Sequence, residues 1–171
     1  MNTVIAPPSP KSSTDWKRLT LLQHQFTANV AALAGRDAKL ADRLRAFAPI
    51  DPLLVNAAGD AVMLGRRIGE EIEVIPELVS PSVADEAVKQ LCTSGSLTQP
   101  ALVAGVDRGW LWQRLYAMPS AAAGVPGHRL PLFLLEKQIG RLWTALHLHD
   151  WRTMLADPRV RLFVGEDAYD Q

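Results

Sequence analysis

One cysteine, Cys92, is all the chain has. That excludes an intrachain disulfide and a thiolate metal cluster, and it suits a reducing compartment. No apolar run approaches the roughly 18 residues that suggest a membrane-spanning helix, and the N-terminus lacks the basic-then-apolar pattern of a secretory leader. A soluble, cytoplasmic protein is expected. A surplus of one charge is missing too. Lys plus Arg and Asp plus Glu number 18 each, so no net field favours nucleic acid or an anionic membrane, and neither partner is expected. The five tryptophans have no basic stripe interleaved with them, which fits core packing or an interface better than base stacking.

Catalytic groups are equally sparse. Ser94 and Ser96 lie in a stretch of turn residues with no partner that would activate a nucleophile. His147 and His149 are two apart, so on a helix they diverge by about 200° and do not form a metal pair. Cys92 falls on the apolar face of an expected helix with no nearby histidine, the setting of an inert buried thiol. No metal site is expected, and no catalytic residue can be named.

What is present is the makings of one ordinary domain with an appendage: 171 residues, 48% of them hydrophobic. Residues 1–14 are rich in Pro, Ser and Thr and read as a flexible tail. Residues 15–100 read as a helical hairpin, a small β region and a further helix with a linker. From Asp15, a plausible N-cap, Leu19, Leu22, Phe26, Val30 and Leu33 recur at helical spacing up to a stop at Gly35. Leu40, Leu44 and Phe47 then lie on one side of a second helix that Pro49 and Pro52 end. The Gly59-Asp60 turn signal between short apolar runs, with the alternation in EEIEVI, predicts small antiparallel strands. In SPSVADEAVKQL, capped by Ser80 or Ser82, one helical face holds Val83, Ala87, Val88 and Leu91.

Residues 101–171 alternate strand and helix. ALVAG is a buried-strand run. GWLWQRLYAM is helical, with Trp112 and Leu115 or Tyr116 able to pack inward. LPLFLLE is an uninterrupted apolar run, as expected of a strand covered on both faces. IGRLWTALHLHDW is a helix with Leu142, Leu146 and His149 along one side, and VRLFVGED is a third strand. Parallel strands need crossovers, which are right-handed almost without exception. The fold class is therefore α/β, a partial doubly wound, Rossmann-like parallel sheet. Only three parallel strands fit, which would leave the outer edge of the first one bare, so a downstream domain of a longer protein or a homo-oligomer is expected to cover it.

The candidate site lies at the strand ends. Gly105 and Gly109 bracket a strand-to-helix turn, G-V-D-R-G, in which the middle glycine of a full G-x-G-x-G loop is replaced by Asp107. Glycines let such a turn bend and approach a ligand, and the helix behind it offers unpaired N–H groups to an anion. Asp107 would repel that anion, an effect that Arg108 partly offsets. Glu136 ends the second strand, near the offset of about 20 residues at which an acid accepts hydrogen bonds from ribose hydroxyls. Asp167, after the third strand, could reach an adenine edge. The same residues admit a plain reading, in which the glycines serve turn geometry and the acids are solvated.

These stretches resemble the amino-terminal part of the motility accessory factor family. FTANVAALAGRDAKLADRL is similar to its leading helices, SPSVADEAVKQL to the segment ahead of its sheet, and ALVAGVDRGWLWQRL to its glycine turn. LFLLEKQIGRLWTALHLHDWRTMLADPRVRLFVGEDA is similar to its second and third strands, and is the most specific of the four. The resemblance covers about Phe26 to Ala168, weakly in the middle, and departs from the family at Asp107. It implies a methyltransferase-like domain beside a protein glycosyltransferase, with flagellin as a candidate acceptor. Gly105, Gly109, Glu136 and Asp167 are then positions of a nucleotide or nucleotide-sugar pocket. Three functions stay open: a non-catalytic or sugar-nucleotide-binding front domain of a glycosyltransferase, an S-adenosylmethionine-dependent methyltransferase, and a non-enzymatic interaction module. Fold alone does not choose among them.

Overall fold

The computed structural model describes residues 13–47, 64–68, 71–75, 81–92, 97–106, 109–119 and 129–165. The tail up to residue 12, the Gly59-Asp60 turn, Ser80, Ser94, Ser96, Asp107 and Asp167 lie outside them. In chain order the elements are α1 (Ser13–Ala34), α2 (Ala38–Ala46), β1 (Leu64–Ile68), β2 (Glu71–Ile75), α3 (Pro81–Leu91), β3 (Ala101–Ala104), α4 (Trp110–Ala117), β4 (Leu132–Glu136), α5 (Ile139–Leu148), α6 (Arg152–Ala156) and β5 (Val160–Val164). Among the described residues no helix is long and apolar enough to cross a membrane.

The chain is α/β, with the parallel sheet expected at the start of a doubly wound fold. β3, β4 and β5 are parallel and ordered β3-β4-β5, each strand beside its successor, with α4 and then α5 and α6 in the connections. β1 and β2 pair antiparallel, Leu64 opposite Ile75, in the region read as small strands.

α1 covers the expected apolar stripe but begins at Ser13, so Asp15 lies inside the helix and is not its N-cap. Leu22, Val30 and Leu33 are buried, and Phe26 packs against the core. Asp37 caps α2, its Oδ1 accepting from the Leu40 N–H at 2.8 Å. Cementing the two leading helices to the sheet are polar groups that the apolar pattern does not show. Asn29, wholly buried, donates through Nδ2 to the carbonyls of Leu146 and His149 at 2.7 Å each and accepts the Trp151 N–H at 2.8 Å. Arg36 donates to the carbonyls of Leu155, Asp157 and Val160. α1 thereby closes the end of α5 and the turn into β5.

Three details depart from the sequence reading. The helix through IGRLWTALHLHDW breaks at His149, which is extended, because the Asn29 amide takes the last carbonyls. His149 therefore leaves the apolar face, and His147 joins it beside Leu142, Ala145 and Leu146. On α3 the buried face is Ala84 and Val88, continued by Cys92, while Val83 and Leu91 are more than half exposed. The expected face, Val83, Ala87, Val88 and Leu91 at i, i+4, i+5 and i+8, is thus turned so that Ala84, Val88 and Cys92, at i, i+4 and i+8, meet the core.

β4, finally, is buried unequally on its two faces: Leu132 and Leu134 are buried, Phe133 and Leu135 half-buried. Val103, Leu132, Leu134 and Val160 belong to the single core that all the helices except α6's exposed positions help to fill, with Ala101, Leu162 and Val164 against it. Leu102, Ala104, Phe133, Leu135 and Phe163 point the other way by strand alternation. None of these five is part of that core.

Candidate functional site

The strand ends that the sequence singles out do meet in space, and the structure shows what each residue there touches. β3 runs into Gly105, whose N–H donates to the Leu135 carbonyl at 2.7 Å. Its φ of +84° favours glycine, and a Cβ there would meet nothing within 4 Å. Gly109 caps α4 in the left-handed region, with φ +86°. A Cβ on Gly109 would lie 2.1 Å from Cζ2 of Trp151. Glycine is thus required at 109 because an indole lies against the backbone, whereas at 105 the space is open.

Glu136 lies between them. It is 2% exposed, and both carboxylate oxygens are taken. Oε2 accepts the Val106 N–H, and Oε1 accepts the Gln138 N–H, at 2.8 Å each. The main chain of the same residue accepts the Gly165 N–H at 2.9 Å. One side chain therefore joins the turn after β3 to the turn before α5, and its carbonyl adds the turn after β5. Burial and the two amide bonds commit this carboxylate to the turns, whereas an acid that binds a ribose presents an oxygen to solvent.

Trp151 and Arg43 are residues of this end that sequence reasoning missed. Trp151 is 1% exposed, and its ring meets that of Trp112 edge-on at 5.8 Å. Arg43 reaches from α2 to donate to the Val164 carbonyl at 3.3 Å. Nothing in the spacing of Arg43 or Trp151 marks them. Asn29 carries one legible signal, a polar residue next to Val30 on an otherwise apolar stripe.

The remaining titratable groups serve the scaffold. His147 stacks on Phe26 at 4.2 Å, lies 4.0 Å from the Trp143 ring and hydrogen-bonds the Trp143 carbonyl through Nδ1. Burial pulls its pKa below the ordinary histidine value. Burial likewise raises the Cys92 thiol. At the opposite end of the sheet, Arg159 lies 4.6 Å over the Tyr116 ring, donates to the Tyr116 carbonyl and to Asp157, and closes the turn into β5. Burial raises the Tyr116 phenol, and Asp157 adds to it. Burial would raise Asp157 as well, but the Arg159 backbone N–H and guanidinium outweigh it and hold that carboxyl low. Among the described residues no three His, Cys, Asp or Glu side chains gather as a metal site would need.

No family model matches the sequence, and no curated protein matches it. Among solved structures, the fold is similar to that of the MAf glycosyltransferase from Magnetospirillum magneticum AMB-1. The TM-score is 0.52 at 16% identity, and the match covers 84% of this chain and 28% of that one. The likeness is one of fold and agrees with the family resemblance read from the sequence; this chain spans little more than a quarter of the protein it matches.

Proposed function

We propose that this chain is a non-catalytic, Rossmann-like front portion of a protein glycosyltransferase of the motility accessory factor kind. In this reading it acts in the cytoplasm and presents or supports a downstream transferase domain beside an acceptor protein such as flagellin. Support for the glycosyltransferase side comes from the fold likeness to the MAf enzyme. The single observation behind the non-catalytic side is Glu136: buried, with both oxygens engaged by the Val106 and Gln138 amides. At 2% exposure, the accepting capacity that the two amides leave on this acid faces protein and not solvent.

Calorimetric titration with S-adenosylhomocysteine and with a uridine diphosphate sugar tests this. No binding heat is expected at ligand concentrations of about 1 mM, where the standard free energy detected is about −4 kcal/mol. Saturable binding of the first ligand that Glu136→Gln abolishes would overturn the proposal in favour of a methyltransferase. Saturable binding of the second would overturn it in favour of a sugar-nucleotide pocket.

A further inference from the structure

On the side of the sheet away from β3, the peptide groups of β5 are already spoken for. Leu132 N–H donates to the Arg159 carbonyl and Gly165 N–H to that of Glu136. In a parallel ladder residues 159, 161, 163 and 165 therefore turn their N–H and C=O groups toward β4, and Val160, Leu162 and Val164 turn theirs away from it. Those outward carbonyls are the ones a further strand would have to bond. Guanidinium groups hold the first and the last of them: Arg36 Nη2 donates to the Val160 carbonyl at 2.9 Å, and Arg43 Nη1 to the Val164 carbonyl at 3.3 Å. Arg36 stands just ahead of α2 and Arg43 within it, so α2 is tied to both ends of an edge about 13 Å long at roughly 3.3 Å per residue. Leu40, Ala41 and Leu44 fix the same helix in the core, and Arg36 Nη1 adds bonds to the Leu155 and Asp157 carbonyls at 2.9 and 2.6 Å.

We propose that α2 is a clamp on the outer edge of β5, and that Arg36 and Arg43 keep this edge from pairing with another extended segment. Hydrogen bonds from a charged donor are about twice as strong as neutral ones, so the amide of an incoming strand does not displace them. It would also have to lie against two fixed positive charges. β5 is a strand that needs such a guard, being apolar except for Arg161 and free of proline and glycine. Natural sheets cover an edge with a helix or set charge along it; here one helix does both, through two side chains seven positions apart. A strand that joins this sheet is thereby directed to the β3 side, on which a doubly wound order continues. The inference is independent of the transferase reading and of any ligand at the glycine turn.

Thioflavin T fluorescence and light scattering, followed well below the melting temperature at about 100 µM, within the range where exposed strand edges associate, test this. Arg36→Gln/Arg43→Gln should associate through β pairing at least about tenfold faster than the wild type, and Arg43→Lys, which keeps a charge at the edge, should associate more slowly than Arg43→Gln. Thermal melts establish which variants fold, and Arg43→Gln, which loses one bond at an exposed position, carries the test alone if the double variant does not. Asn29→Ala is the control for lost stability, because its bonds go to Leu146, His149 and Trp151 and not to β5. Folded glutamine variants that associate no faster than the wild type overturn the proposal. So does equal association of Arg43→Lys and Arg43→Gln, or an Asn29→Ala chain that associates as fast as the arginine variants, which would assign the effect to partial unfolding.

Discussion

Replacing Glu136 by glutamine keeps the size of the side chain and exchanges one acceptor oxygen for an NH2 donor. Both oxygens now accept backbone amides, from Val106 and Gln138, at 2.8 Å in a position only 2% exposed. Glutamine can accept one of these N–H groups; the other then faces a second donor. A buried donor left unpaired costs about 1–3 kcal/mol, and the surviving bond loses its charge assistance, so the variant should be destabilised by about 2 kcal/mol. For a domain of this size each kcal/mol moves Tm by about 2–4 °C, giving a fall of about 4–8 °C. Glu136→Ala forfeits both bonds and should fall further, by about 3–5 kcal/mol in all. Calorimetric melting with urea unfolding measures this, with an unchanged m-value showing that the native state is the one affected. A Glu136→Gln protein that melts like the wild type would refute the reasoning. The carboxylate would then be available to a ligand rather than committed to the two turns.

Gly109→Ala should cost more than Gly105→Ala, since both incur about 1 kcal/mol for a positive φ but only the former meets Trp151; equal losses in parallel urea titrations would refute the close packing. Asn29→Ala should destabilise by about 2–4 kcal/mol, because it leaves two carbonyls and one N–H of the α5–α6 junction unpaired in a buried place; a loss below about 0.5 kcal/mol, typical of surface changes, would contradict that role. Since His147 is held below its ordinary pKa, the unfolded chain binds the extra proton first. Stability should therefore be full above pH 6.5 and fall as acid takes the pH down through the folded value. A His147→Gln chain should show a shallower loss between pH 7 and 5, measured by urea unfolding. Asp150, held at about 2 by its hydrogen bonds from Arg152, titrates lower and does not confuse that window.

The strands were legible because ALVAG, LPLFLLE and VRLFVGED are apolar runs of strand length between turn residues, and their order fixes a parallel sheet. LPLFLLE also misleads. An uninterrupted run does not reveal that Leu132 and Leu134 face the core while Phe133 and Leu135 face outward, since both sets are equally apolar. The strand-end position of Glu136 was legible, but its partners were not, because backbone amides donate alike whatever the residue, and Val106 and Gln138 carry no mark of it. The end of α5 was hidden for a similar reason. Asn29 decides it, from a helix far away in the sequence, and no local pattern near His149 records that contact. In sequence Gly109 suggests room for a ligand, yet the same residue type is what a neighbouring Trp151 demands.

The bonds from Asn29 and Arg36 span 117 to 124 residues. At a synthesis rate of roughly 5–20 residues per second, α1 leaves the ribosome on the order of ten seconds before the carbonyls it serves have been made. During that interval Val30, Leu33 and the buried amide of Asn29 lack the partners that enclose them in the finished fold. Pairings so distant along the chain also form slowly. The nascent helix pair is therefore a period of exposure built into the topology, ended only when the segment from Leu146 to Val160 arrives and folds back over it.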